Sequence, residues 1–170
     1  AVSWAAVGVL AAEPAGAIKK DKPKYTTESH RGRVVWMAEA LQERFNIQTD
    51  DDAAEALAAL EDPDGRLHPL LKDQRGRCFY TDKRLRDIEV ELLVRRYAGS
   101  PMLQVVRIYT IKSGDKYELD YWCDICSIPM YELKPCECCQ GPTRLRERLV
   151  EKASQTDETE PRPKSPTKTK

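Results

Sequence analysis

An α+β fold is predicted for this chain from three observations: an early apolar stripe at helical spacing, a middle region of alternating strand runs, and a cysteine-rich hairpin after them. The expected architecture is a short N-terminal helical pair, an antiparallel sheet either open or curled into a small barrel, and a C-terminal four-cysteine hairpin. The chain has 170 residues, 41% hydrophobic and 33% charged. That balance suits a small core under a charged surface. The formal net charge is zero, so no global field draws the protein to nucleic acid or an acidic membrane.

The two ends are expected to lie outside the domain. Residues 1–17 read as the remnant of a signal peptide. Val2 to Ala12 is an apolar run of h-region length, and Ala15-Gly16-Ala17 is a small-x-small cleavage pattern. This predicts an exported protein, periplasmic or extracellular. The run is too short to span a bilayer, which takes about 20 apolar residues. Residues 18–27 are expected to be a linker, and residues 28–150 a single α+β domain. Residues 151–170, rich in Pro, Thr, Ser and Lys, cannot bury enough surface to offset their ordering entropy and read as a disordered tail.

Within the domain, Val34, Met37, Ala38, Leu41 and Phe45 form a helical stripe behind the possible caps Thr26, Thr27 and Ser29. A second short helix is predicted after Thr49 and Asp50, over DDAAEALAALE, where an acidic first turn complements the helix dipole. Glu61 to Gly65, EDPDG, is a turn.

The sheet follows. Arg66 to Leu71 is a short strand whose Pro69 confines it to an edge. Ile88 to Tyr97, Met102 to Lys112 and Tyr117 to Trp122 are longer strands joined by the turns AGSP and SGDK. Ile88, Val90, Leu92 and Val94 share one face, as do Tyr117, Leu119 and Tyr121, so the three make an antiparallel meander. The strand spacing over this region resembles the oligonucleotide/oligosaccharide-binding (OB) fold, which implies a small, partly open barrel. RLRERLVEK, after the cysteines, reads as an amphipathic helix packing Leu145, Leu149 and Val150 on the domain.

Every cysteine except Cys78 falls between Cys123 and Cys139. Cys123 and Cys126 bracket C-D-I-C, and Cys136 and Cys139 bracket C-E-C-C. A C-x-x-C turn aims both sulfurs at one point, and two such turns on a short hairpin supply the four sulfurs of a tetrahedral zinc site. The segment between has few large apolar residues, so a metal crosslink would replace a missing core. The paired motifs resemble the knuckles of the zinc ribbon and rubredoxin families. The resemblance implies a structural zinc, or iron in its place, at Cys123, Cys126, Cys136 and Cys139. It departs from those families in two ways. Ser127 and Gln140 stand where a Gly usually follows the second cysteine, and Cys138 adds a thiol inside the second knuckle.

Two other chemistries fit the same residues. Six cysteines in an exported chain can form a disulfide framework, or four can bind metal while Cys78 pairs with Cys138. The C-x-x-C pairs can also exchange disulfides, although no βαβ pattern surrounds them. His68 and Cys78 offer a base and a nucleophile if the fold brings them together, but an ordinary edge-strand histidine is the simpler reading of His68. No phosphate-binding Gly-rich loop, H-E-x-x-H or G-x-S-x-G is present. Tyr97, Tyr109, Tyr117 and Trp122, interleaved with Arg95, Arg96 and Arg107, allow single-stranded nucleic acid as a partner, but zero net charge and export argue against it. The sequence therefore predicts a small exported zinc protein with a non-catalytic binding or assembly role, its partner another protein. The alternative is a thiol-redox or electron-transfer module.

Overall fold

The computed structural model describes residues 23–152. They form an eight-stranded, antiparallel sheet with few helices. In chain order the elements are β1 (Tyr25–Trp36), α1 (Met37–Phe45), β2 (Ala58–Glu61), β3 (Leu67–Pro69), α2 (Cys78–Thr81), β4 (Glu89–Tyr97), β5 (Leu103–Lys112), β6 (Asp115–Cys123), β7 (Ile128–Met130) and β8 (Arg144–Glu151). The strand order is β3-β2-β1-β4-β5-β6-β7, with β8 on β6.

The meander β4–β5–β6 forms where the alternation placed it. Val90, Leu92, Val94, Leu103, Val105, Ile108, Leu119 and Tyr121 all enter the core. The β5–β6 turn has two successive positive φ angles, at Ser113 (51°) and Gly114 (85°), which matches the right-handed twist of a hairpin. The EDPDG turn also forms, with Gly65 at φ 81° and its amide donating to the Asp62 carbonyl at 2.8 Å.

Three predicted helices are corrected. The first half of the early helical segment is strand. Along β1 the exposed residues Thr27, Ser29, Arg31 and Arg33 alternate with the more buried Glu28, His30, Gly32 and Val34. The residues expected to be linker from Tyr25 onward therefore belong to the sheet. Long-range pairing decides this: Tyr25 to Arg33 lie on β4, and Arg33 to Trp36 lie on β2. Gly32 sits at the changeover, where a Cβ would come 2.0 Å from the Glu61 carbonyl oxygen. Only the part rich in strong helix formers, MAEALQERF, is helical. It ends at Asn46, which takes the left-handed conformation (φ 53°) and donates to Gln42.

In the second expected helix, only a single 3₁₀ turn forms at Asp51–Ala53. Ala58 to Glu61 are then captured between β1 and β3 as a fully buried strand. The amphipathic segment after the cysteines is β8, not a helix. Two of its arginines lie opposite acids of β6, with Asp120 facing Arg146 and Glu118 facing Arg148. Cross-strand ion pairs of this kind stabilise a sheet and outweigh a helical reading of Leu145 and Leu149.

The sheet curls without closing. A single parallel bridge, Leu70 to Leu103, draws the chain just past β3 toward β5, with the Leu71 amide donating to Leu103 at 2.9 Å. The short helix α2 carries Phe79 and Cys78 into the core. Beside it, buried Asp82 accepts from the Tyr121 hydroxyl at 2.8 Å and from the Arg84 guanidinium at 2.6 Å. No buried side-chain polar atom lacks a hydrogen-bond partner among the described residues. None of the described helices is long and apolar enough to cross a membrane.

Candidate metal centre

The cysteine segment is built onto the end of β6. Cys123 is the last residue of that strand, and β7, directly after the first knuckle, pairs back on Tyr121 to Cys123. The second knuckle then leads into β8, whose Arg144 faces Trp122. Both knuckles are therefore held by the same stretch of β6. The base of the hairpin is tied by the Thr143 hydroxyl, which donates to the Lys134 carbonyl at 2.8 Å.

The four cysteines converge. The sulfurs of Cys123, Cys126, Cys136 and Cys139 all lie within 4.8 Å of one another. Those of Cys123 and Cys139 are 3.5 Å apart. A metal with four bonds of about 2.3 Å to sulfur sets tetrahedron edges of about 3.8 Å, so a cluster of this size could hold such an ion. Cys123 and Cys136 are fully buried, while Cys126 and Cys139 are half-buried.

The two knuckles have the same backbone. In the first, the Ser127 amide donates to the Cys123 carbonyl at 2.9 Å. In the second, the Gln140 amide donates to the Cys136 carbonyl, also at 2.9 Å. Ser127 and Gln140 both take positive φ, 54° and 58°, the conformation for which glycine is ordinarily used. Amides also turn toward the sulfurs. Cys126 donates to the Cys123 sulfur and Gly141 to the Cys139 sulfur, each at 3.4 Å. The Cys136 sulfur receives the amides of Cys139 and Cys138, which pull its thiol down to about 7.

Cys123 and Cys126 are harder to ionise than a free thiol. The Cys126 thiol is raised, foremost by the thiols of Cys138 and Cys139 and then by burial. At Cys123 the Cys126 amide pulls the thiol down, but burial and the neighbouring sulfurs outweigh it and the net shift is upward. Four adjacent thiolates repel one another, and a divalent cation at their centre removes that cost. The donor set, four soft sulfurs and no water-facing carboxylate, fits a thiophilic metal ion.

Charges brace the outside of the segment. Arg144 donates twice to Asp124, at 2.9 and 3.0 Å. Lys134 reaches Glu137 at 2.7 Å and Glu132 at 3.4 Å. Arg146 lies over the Trp122 ring at 3.7 Å and donates to both oxygens of Asp120.

Cys78 does not join this group. It is fully buried on α2, its sulfur donates to the Arg75 carbonyl at 3.1 Å, and burial pushes its thiol up to about 12. Cys78 and Cys138, the possible disulfide pair, lie apart in burial, one in the core and one exposed, and both are free thiols here. Nor does His68 pair with Cys78. Its Nε2 lies 2.9 Å from Asp62, and its ring faces His30 at 5.3 Å. The aromatic and basic residues considered for nucleic acid are engaged within the sheet. Arg107 pairs with Glu118, Arg96 with Glu28, Lys116 covers Tyr109, and Arg95 covers Tyr25.

The buried Asp82–Tyr121 contact was not visible in the sequence, since no spacing links residues so far apart. Comparison with protein-family models, with curated proteins and with solved structures gives no match.

Proposed function

We propose that this chain is a small exported zinc protein, with a structural zinc at Cys123, Cys126, Cys136 and Cys139 and a non-catalytic role in binding or assembly with another protein. The observation that carries the metal reading is the convergence of four sulfurs, drawn from two knuckles of equivalent backbone, within 4.8 Å. A full set of four protein ligands suits a structural ion, because a catalytic zinc keeps one position open for water or substrate. The knuckle geometry supports a zinc-ribbon type of hairpin, and the curl at Leu70–Leu103 supports a small open barrel of OB type. The apolar run and small-x-small pattern in residues 1–17, which lie outside the described residues, support export.

The poverty of the segment supports a structural role. Ile125 is 70% exposed and Leu133 is also exposed, so neither stabilises the hairpin. Metal binding couples to folding in small thiolate sites, with apparent values of about 10–16 kcal/mol in zinc peptides. Zinc would fix the end of β6 and, through it, β7 and the start of β8.

Metal analysis with thiol counting on the purified full chain tests this reading. One zinc per chain, with four thiols protected from alkylation until a chelator is added, is expected. Bound iron with visible charge-transfer absorption would favour electron transfer by the same sulfurs. Absence of metal together with loss of all free thiols would replace the site with a disulfide framework.

A further inference from the structure

Among the described residues, β3, β7 and β8 each pair with a strand on one side only. Two of these edges are closed to further pairing. β3 and β7 are three residues long, and Pro69 and Pro129 each remove a donor. β8 has eight residues and no proline. It takes one side of β6, while β5 and β7 share the other. Its register is unbroken from Arg144 to Leu149, and the bulge comes only at its end. Alternate backbone amides and carbonyls of that stretch therefore point away from the sheet. The first half of β1 is also bare on one side, but its Glu28 and Arg31 are opposite in sign and select no partner charge.

The side chains along β8 define what fits against it. Arg144, Arg146 and Arg148 share one face, and Leu145, Glu147 and Leu149 share the other. On the arginine face the acids of β6 are already divided between cations. Glu118 is held by Arg107 and Arg148, and Asp120 by Arg146 and Arg148. Arg144 and Arg148 stay 58% and 51% exposed, so positive charge faces outward along the edge. A second copy of this chain is a poor occupant. Every antiparallel self-register centred on Leu145, Arg146, Glu147 or Arg148 sets arginine opposite arginine, and like charges directly opposite destabilise a sheet.

We propose that β8 is a docking edge for an extended segment of a partner protein. The segment adds a strand to the sheet, with acidic side chains opposite Arg144, Arg146 and Arg148 and apolar ones beside Leu145 and the exposed Leu149. This inference rests on the proposed protein-binding role and names its surface and its partner; it needs nothing from the metal. Main-chain hydrogen bonds supply affinity, and the alternation of acid and apolar side chains supplies specificity.

The test uses the full chain purified with zinc present and a fluorescent synthetic peptide alternating Glu and Val. One control peptide alternates Lys and Val, and another is the Glu–Val peptide N-methylated throughout, which cannot donate to a sheet edge. The Glu–Val peptide should bind on the order of tenfold tighter than either control. It should also slow exchange of alternate amides from Arg144 to Leu149. Arg144→Gln combined with Arg148→Gln should weaken binding about tenfold. This double variant spares Arg146, which holds buried Asp120, and exposed ion pairs add little to stability, so its zinc content and melting temperature should match those of the natural protein. If it fails to fold, the two control peptides still decide the matter. No binding of the Glu–Val peptide, equal binding by either control, binding unmoved in a folded double variant, or protection away from β8 would overturn the inference and leave the metal centre standing. Outward amides of β8 already protected in the free chain, by a second copy or by another segment of this chain, would overturn it too. Absence of zinc from a chain whose β8 the peptide still protects would overturn the metal reading alone and support the edge.

Discussion

Ser127 and Gln140 hold the same left-handed backbone position in the two knuckles, each donating its amide to the first cysteine's carbonyl at 2.9 Å. Neither residue is favoured there. A side chain in this conformation costs about 1–2 kcal/mol, against about 0.5–1 kcal/mol of unfolded-state entropy that glycine would add. Ser127→Gly and Gln140→Gly are each expected to stabilise the zinc-loaded protein by about 0.5–1 kcal/mol. Urea denaturation at fixed zinc concentration measures the gain.

Gly141 presses from the other side of the second knuckle. A Cβ there would lie 2.8 Å from the Ile125 Cδ1 and 3.2 Å from the Cys139 sulfur. Ile125 can swing aside because it is mostly exposed, but a metal-bound sulfur has little freedom. Gly141→Ala should lower zinc affinity about tenfold, as perturbing a ligand's surroundings does elsewhere. Adding Ile125→Ala should recover only part of the loss. Competition with a calibrated chelator measures both variants.

Asp82 and Tyr121 form the hidden polar contact of the core. Burial alone would raise the Asp82 carboxyl, but Arg84 and Tyr121 outweigh it and hold it below the usual carboxylate value. A carboxyl depressed in the folded state stabilises above its unfolded pKa, and that contribution is lost as pH falls through the folded value. Tyr121→Phe should cost about 1–3 kcal/mol at pH 7, since a buried carboxylate loses a donor. The difference between variant and natural protein should shrink as pH falls below about 4. Acid release of metal affects both proteins, so the difference in their denaturation midpoints isolates Asp82.

Arg146 docks β8. Its two hydrogen bonds reach Asp120, which is only 3% exposed. Arg146→Ala would leave a buried carboxylate with Arg148 as a more distant cation, at 3.4 Å. A loss of about 3–5 kcal/mol is expected for a broken buried pair, with increased amide exchange along β8 and at Tyr121 to Cys123. Hydrogen-exchange mass spectrometry reads the second effect directly.

The legible parts of this protein were those whose signal is local. Val90, Leu92 and Val94 alternate within a few residues, and the meander followed from them. The paired C-x-x-C spacings likewise placed Cys123, Cys126, Cys136 and Cys139 at one point. The misread segments were decided by distant partners. Val34 and Met37 fit a helical stripe, yet Val34 sits opposite Leu60 in a ladder. Arg144, Arg146 and Arg148 alternate with period two, as do Glu118, Asp120 and Trp122, and that shared period could have revealed β8. The Asp82 contact and the left-handed turns at Ser127 and Gln140 carry no comparable signal, because neither residue type is selective for its position.

The most direct measurement is X-ray absorption at the metal edge of the zinc-loaded full chain. The proposed site predicts one zinc whose inner shell is four sulfurs at about 2.3 Å. A shell containing nitrogen or oxygen, or sulfurs supplied by fewer than four of the named cysteines when each is replaced by serine in turn, would contradict it.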